Sequence, residues 1–248
     1  MKVVVIGGTG LIGSRVSAKL TQAGHDAVAA SPSTGVDTLT GEGLAEILAG
    51  VDAVIDVSDS PSFEAQAVMD FFQTSTRNQL RFEQDAGVGV HMALSVVGAD
   101  RLPEGDYLRA KVAQEKLIAD SGRPYSVLRA TQFFEFVSRI ADASTIDGVV
   151  RVPTGSMQPI AADDVVEALV EVATGAPLNA IREVGGPEPF PMPELMRLSL
   201  AATNDPRTVV GDPGARYFGT PLTGDELIPG PGAQLWPTRF EDWLTASS

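Results

Sequence analysis

The chain has 248 residues, 44% of them hydrophobic, which is enough to bury a sizeable core in a single α/β domain. Its formal net charge of −14 argues against nucleic acid and anionic lipid as partners, since phosphate binding needs clustered Lys and Arg. Cysteine is absent, and the two histidines, His25 and His91, lie far apart with no carboxylate spacing to complete a metal site, so disulfides, thiolate centres and a His-based metal are not expected.

Lys2–Ile6 reads as a buried strand, and glycines follow it too soon for a signal peptide. Leu11–Ala23 follows as a helix, with Leu11, Ile12, Val16 and Leu20 apolar. Asp26–Ala30 is a second strand, Leu44–Leu48 a short helix and Ala53–Val57 a third strand. Ser62–Asp85 is mostly helix, Gly89–Ser95 a fourth strand, Tyr107–Ser121 a helix and Tyr125–Ala130 a fifth strand. No apolar run approaches the roughly 18 residues of a membrane span. Parallel strands need crossovers, so this alternation predicts a Rossmann-type, doubly wound parallel sheet with helices on both faces.

Beyond Ala130 the pattern loosens. Phe133–Ala143 looks helical, and Asp163–Thr174 reads as a helix opened by an Asp N-cap. Pro and Gly become frequent from Gly185 onward, as in Pro229-Gly230-Pro231-Gly232. The expected organisation is one domain, with about 1–130 as the cofactor-binding core and about 131–248 contributing a small C-terminal substrate lobe. Trp236 and Trp243 are expected to pack the C-terminal helix.

The most informative segment is Gly7-Gly8-Thr9-Gly10-Leu11-Ile12-Gly13, between the first strand and the first helix. A tight turn, close approach to a pyrophosphate and close helix–strand packing each need a residue without Cβ. The free N–H groups that open the helix then bind phosphate oxygens, and Thr9 adds a hydroxyl. This predicts a nicotinamide dinucleotide on Gly7, Thr9, Gly10, Leu11, Ile12 and Gly13. NAD-specific folds carry an acid after the second strand. Here Ser31 stands there, with Ser33 and Thr34 close behind. Missing acid favours NADP(H) over NAD(H), with these hydroxyls on the 2′-phosphate; the alternative is a polar turn that contacts nothing. No Arg stands there either, and Arg15 is a distant charge candidate. Val57 and Ser58, after the third strand, are candidates for the adenosine end, or belong to a capped loop.

Tyr107 and Lys111 are four apart and share a helix face, and Ser95 ends the fourth strand. Hydride transfer to a carbonyl needs a proton donor at the oxygen. Tyr107 can serve if an ammonium makes its phenol more acidic, Ser95 can hold the same oxygen, and Lys111 can also bond the nicotinamide ribose. The alternative has Tyr107 facing solvent at the helix start. Phe133 and Phe134 follow the fifth strand and either wall a substrate pocket or pack the core. Pro159–Val165 reads as a structural loop carrying a helix cap.

These segments resemble the atypical short-chain dehydrogenase/reductase superfamily, in particular its NmrA-like NAD(P)H-binding branch. The resemblance rests on Gly7–Gly13, Ala93-Leu94-Ser95-Val96-Val97-Gly98, the Tyr107/Lys111 pair, Arg129-Ala130-Thr131-Gln132-Phe133-Phe134 and Pro159–Val165, and covers the chain to about Gly186. It implies a Rossmann fold, an NADP(H) preference and a substrate pocket under the C-terminal lobe. Ser95, Tyr107 and Lys111 stand where the superfamily has its catalytic triad. The branch includes quinone reductases and cofactor-sensing regulators without turnover, and many of its members lack the Tyr. The expectation is therefore a cytoplasmic NADP(H)-dependent oxidoreductase acting on a small apolar carbonyl or quinone. A non-catalytic NADP(H) sensor and a nicotinamide-retaining isomerase or epimerase are the alternatives. Oligomeric state is left open.

Overall fold

The computed structural model describes residues 1–246. The first half runs β1 (Lys2–Ile6), α1 (Leu11–Gln22), β2 (Asp26–Ala30), α2 (Leu44–Ile47), β3 (Ala53–Asp56), α3 (Ala65–Ala86), β4 (Val90–Val96), α4 (Asp106–Ala119) and β5 (Tyr125–Ala130). The second half has more and shorter elements. They are α5 (Val137–Ala143), β6 (Thr145–Ile146), β7 (Val149–Val152), β8 (Ser156–Met157), α6 (Ala162–Thr174), β9 (Ile181–Gly185), β10 (Phe190–Pro191) and α7 (Met192–Ala202). Then come β11 (Thr208–Gly211), β12 (Arg216–Tyr217), β13 (Thr220–Pro221), β14 (Gln234–Leu235) and α8 (Phe240–Ala246). No helix among the described residues is long and apolar enough to cross a membrane.

Seven strands form one sheet in the order β14-β9-β5-β4-β3-β1-β2. The register pairs β1 with β2 and β3, and β3 with β4, all parallel. This is the expected Rossmann-type α/β sheet. β1 carries Val3, Val4, Val5 and Ile6 fully buried, as strands covered on both faces require. One buried cluster joins Val4, Ile6, Val54 and Ala30 to Leu44 of α2 and to Leu48, the residue that caps it. A second joins Ala93 and Val127 to Ile118 of α4. The chain leaves β1 toward β2 on one side and returns as β3 on the other. The strand order therefore reverses between β1 and β3, and ligands bind at such a switch point, beyond the carboxyl ends of the strands.

The residues group into two compact units. One comprises Met1–Ser95, Arg109–Arg129 and Val165–Arg182. The other comprises Val96–Leu108, Ala130–Asp164 and the chain from Glu183 onward. Its short strands pair as β10 with β8, β6 and β11 with β7, and β12 with β13.

Two expected elements differ. The segment 133–143 is split, with a 3₁₀ turn at Phe134–Phe136 before α5. The helix expected to begin behind an Asp N-cap begins at Ala162, with Asp163 and Asp164 inside its first turn. Its cap is Glu135, whose carboxylate accepts the Ala162 N–H at 3.2 Å. The Asp164 carboxylate instead accepts the Thr238 hydroxyl at 2.9 Å.

Candidate functional site

The glycine turn is built so that three of its positions exclude a side chain. Gly7 has φ +78°, and a Cβ there would stand 2.8 Å from the backbone nitrogen of Ser58. A Cβ on Gly8 would meet the Val5 carbonyl at 2.6 Å, and one on Gly13 would meet the Gly7 carbonyl at 2.2 Å. Gly10 differs, since its nearest neighbour is the Gly7 carbonyl at 3.3 Å. The N–H groups of Gly7 and Gly8 both donate to the Ala30 carbonyl, fastening the turn to the end of β2. Gly10 caps α1 without any side-chain hydrogen bond, and no acid stands in the first turn. The N–H groups of Leu11, Ile12 and Gly13 thus open a helix end that offers a pyrophosphate its donors and positive dipole. Thr9 and Gly10 are exposed, and Ile12 packs into the core. The glycines thus let the turn pack tightly on β1, β2 and the Ser58 loop, and the N-terminus of α1 is left without a side-chain cap, an arrangement that fits a pyrophosphate.

After β2, Pro32–Thr34 form a 3₁₀ turn capped by Ser31, which is buried. Its hydroxyls bond within the turn. Ser31 Oγ and Ser33 Oγ are 2.8 Å apart, and Thr34 Oγ1 accepts the Ser31 N–H at 2.9 Å. The three residues are brought together as a polar turn held by its own hydrogen bonds.

Asp56 ends β3 and is buried. Its Oδ1 accepts the Ser58 N–H at 2.9 Å and the Ser58 hydroxyl at 2.6 Å. Its Oδ2 accepts the side-chain amides of Gln79 on α3 and Gln114 on α4, each at 3.0 Å. Two donors at each oxygen satisfy a buried carboxylate. The Ser58 backbone so fixed is the surface against which Gly7 packs. Sequence reasoning missed Asp56, although a charged residue closing an otherwise apolar strand was the available signal.

Lys111 is buried on α4. Its ammonium donates to the Leu94 carbonyl at 2.9 Å and to Gln114 Oε1, and lies over the Phe72 ring at 4.3 Å from the centroid. An ammonium has three protons, so these two acceptors leave one to give. Burial holds its pKa below the ordinary lysine value, against the opposing pull of Asp56, Asp59 and Glu115. Ser95 is next to last in β4, and its hydroxyl donates to Glu115 at 2.6 Å. Arg129 grips Glu115 through Nε at 2.8 Å and Nη2 at 2.7 Å. Neither partner was expected to organise Ser95.

Tyr107 is half-buried on the first turn of α4, with its ring 6.5 Å from that of Phe218. Phe134 is a core residue, packed 5.0 Å from Phe240 and 5.6 Å from Trp243 between ring centroids. The expectation that it walls a pocket gives way to its alternative, because α8 covers it. Phe133 is half-buried and stacks on Phe136 at 5.5 Å. Pro159–Val165 packs as a structural loop, with Phe134 N–H donating to the Ile160 carbonyl and Ile160 N–H to that of Gln132, but the helix cap expected of it comes from Glu135.

No protein-family model matches the sequence. The photosystem II assembly factor Ycf39 of Synechocystis sp. is 25% identical over 175 residues, covering 65% of this chain and 54% of that protein. The chain thus spans about half the length of the curated relative it matches. Among solved structures, dTDP-4-dehydrorhamnose reductase from Bacillus anthracis, in complex with NADP, aligns with a TM-score of 0.74 at 16% identity. That alignment covers 98% of this chain and 96% of the other. MoeE5 in complex with UDP-glucose and NAD gives 0.73 at 18% identity, over 99% and 92%. The NADPH-dependent quinone oxidoreductase QOR2 from Escherichia coli, complexed with NADPH, gives 0.67 at 21% identity, over 85% and 77%. These likenesses show the fold: a Rossmann-type sheet found in nicotinamide-dependent reductases.

Proposed function

We propose that the chain is an NADP(H)-dependent oxidoreductase of the NmrA-like kind, reducing a small apolar carbonyl or quinone. The observation that carries this reading is the glycine turn, its helix N-terminus without a side-chain cap hydrogen bond, packed on the Ser58 loop at the strand-order switch point. Solved structures of the same fold hold NADP, NADPH or NAD, so the fold accommodates such a cofactor. Preference for NADP(H) is supported by Ser31 in place of an acid after β2. The bound nicotinamide would supply the hydride. The N–H groups of Leu11, Ile12 and Gly13 would bind the pyrophosphate, and the remaining ammonium proton of Lys111 the ribose hydroxyls. Tyr107 would give its phenolic proton to the substrate oxygen. Ser95 would hold that oxygen by turning its hydroxyl away from Glu115. Phe133 would offer the substrate an apolar surface.

Tyr107→Phe tests the proton donor. NADPH affinity should stay unchanged while turnover falls about a hundredfold, the order expected for losing a positioned acid. Unchanged turnover would remove Tyr107 from the reaction. A second reading, a cofactor-binding protein without turnover, is favoured by the Ycf39 likeness, since that protein is named as an assembly factor. It predicts a thermal shift with NADPH and no NADPH oxidation over a broad panel of carbonyls and quinones.

A further inference from the structure

We propose that Asp56 and Gln114 are positioning residues that couple the glycine turn to Lys111, so that the cofactor's two anchoring points are held by one carboxylate. The inference rests on the reading that Lys111 serves the cofactor. Its basis is a continuous set of contacts, part-buried at Ser58 and buried at Gln114, within one compact unit. Gly7 leaves no room for a Cβ against Ser58. Ser58 is tied to Asp56 Oδ1 by its N–H and its hydroxyl. The other oxygen, Oδ2, accepts the Gln114 amide at 3.0 Å. Gln114 presents its remaining atom, Oε1, to the Lys111 ammonium.

A carboxamide suits this position, since it donates from one end and accepts at the other. The Asp56 charge orients the Gln114 amide N–H toward itself, and the amide oxygen must then face the cation. The relay thus fixes where Lys111 points and which proton it keeps free. It also favours the charged ammonium: Gln114 Oε1 accepts one of its protons, and the field of Asp56 raises its pKa against the larger cost of burial. The other charges that face Lys111 are Asp59, after β3, and Glu115, on α4, the latter engaged by Arg129.

Gln79 supplies an internal control. It donates to the same Asp56 oxygen at the same 3.0 Å, but its chain of contacts leads to Ser75 and on to Thr38, away from Lys111. A purely structural role for the cluster predicts like behaviour for Gln79 and Gln114.

The experiment measures NADPH affinity by nicotinamide fluorescence, with melting temperature alongside, across the alkaline range below the ordinary lysine pKa, where a lysine with a lowered pKa loses its proton. Parent, Gln114→Met, Gln79→Met, Asp56→Asn and Lys111→Met proteins are compared. Both Gln variants should melt lower than the parent. Only Gln114→Met should move the alkaline loss of affinity to lower pH, by about one unit, because Lys111 loses an acceptor for its charged form. Asp56→Asn should move it the same way if that variant folds, and the Gln pair decides the matter if it does not. An alkaline limb that stays in place with Gln114→Met, or moves equally with Gln79→Met, overturns the relay. Lys111→Met should weaken NADPH about tenfold or more, the scale of a charge-assisted hydrogen bond. Parent-like affinity in that variant would instead overturn the underlying reading of Lys111, and the relay would fall with it.

Discussion

Two buried carboxylates, Asp56 bonded to Gln79 of α3 and Glu83 one turn further along the same helix, are treated differently. Asp56, at the carboxyl end of β3, uses both oxygens twice and takes the Gln79 amide among its donors. Glu83, one turn beyond Gln79, faces His91 near the start of β4 at 2.8 Å, and both side chains are fully buried. There Glu83 Oε2 and His91 Nε2 have no hydrogen-bond partner among the described residues. The two sites lie toward opposite edges of a parallel sheet, and only the carboxyl edge receives ligands in such folds. The satisfied network sits where a cofactor would need a fixed geometry. The unsatisfied pair sits where only the fold is at stake, so its charge state should affect stability alone.

The largest expected effect follows from breaking that pair. Glu83→Ala leaves a fully buried histidine without its only described partner, and should cost on the order of 3 kcal/mol in chemical denaturation. NADPH affinity of the folded variant should be unaltered. A loss of affinity at constant stability would erase the distinction between the two carboxylates.

A smaller effect concerns pH. Burial alone would lower the His91 pKa, but the charge and hydrogen bond of Glu83, with the more distant Asp56, outweigh it, and the net shift is upward. A histidine raised in the folded state binds its proton more tightly there than in the unfolded chain. Its stabilisation is complete below the ordinary histidine pKa of about 6.5 and is lost as pH rises through the raised folded value. Stability in chemical denaturation should therefore fall from mildly acidic to mildly alkaline pH. His91→Gln should flatten the slope. A parent protein more stable at the alkaline end, with the slope kept in His91→Gln, would contradict the assignment.

Much of the sheet was legible because its signals are local. β1, β2 and β5 fall at the bounds read from the sequence, and the clearest case is β1, apolar from Val3 to Ile6 because it is buried on both faces. The glycine turn was legible for the same reason, as spacing and context lie within a dozen residues. The rest depends on distant partners. The N-terminus of α6 is capped by Glu135, 27 residues earlier, so the acids inside its first turn misled. The two-residue strands from β6 to β14 have no period to read, because each is defined by a partner elsewhere in the chain. Gln79, Glu83 and Gln114 look like ordinary solvent-facing helix residues until the fold turns them inward. Phe134 shows the reverse: a strand-end aromatic suggests a pocket, and only α8 shows it to be core.

The central claim is that the Gly7–Gly13 turn binds a nicotinamide dinucleotide through its backbone. A titration of the parent and Gly13→Ala proteins with NADPH and NADH tests it most directly. The parent should bind NADPH more tightly than NADH and be stabilised by roughly 2.7 kcal/mol at a hundred times the dissociation constant. In Gly13→Ala, where the added Cβ would fall 2.2 Å from the Gly7 carbonyl, both affinities should collapse together. Absence of binding by the parent, or unchanged binding in a folded Gly13→Ala protein, would contradict the account.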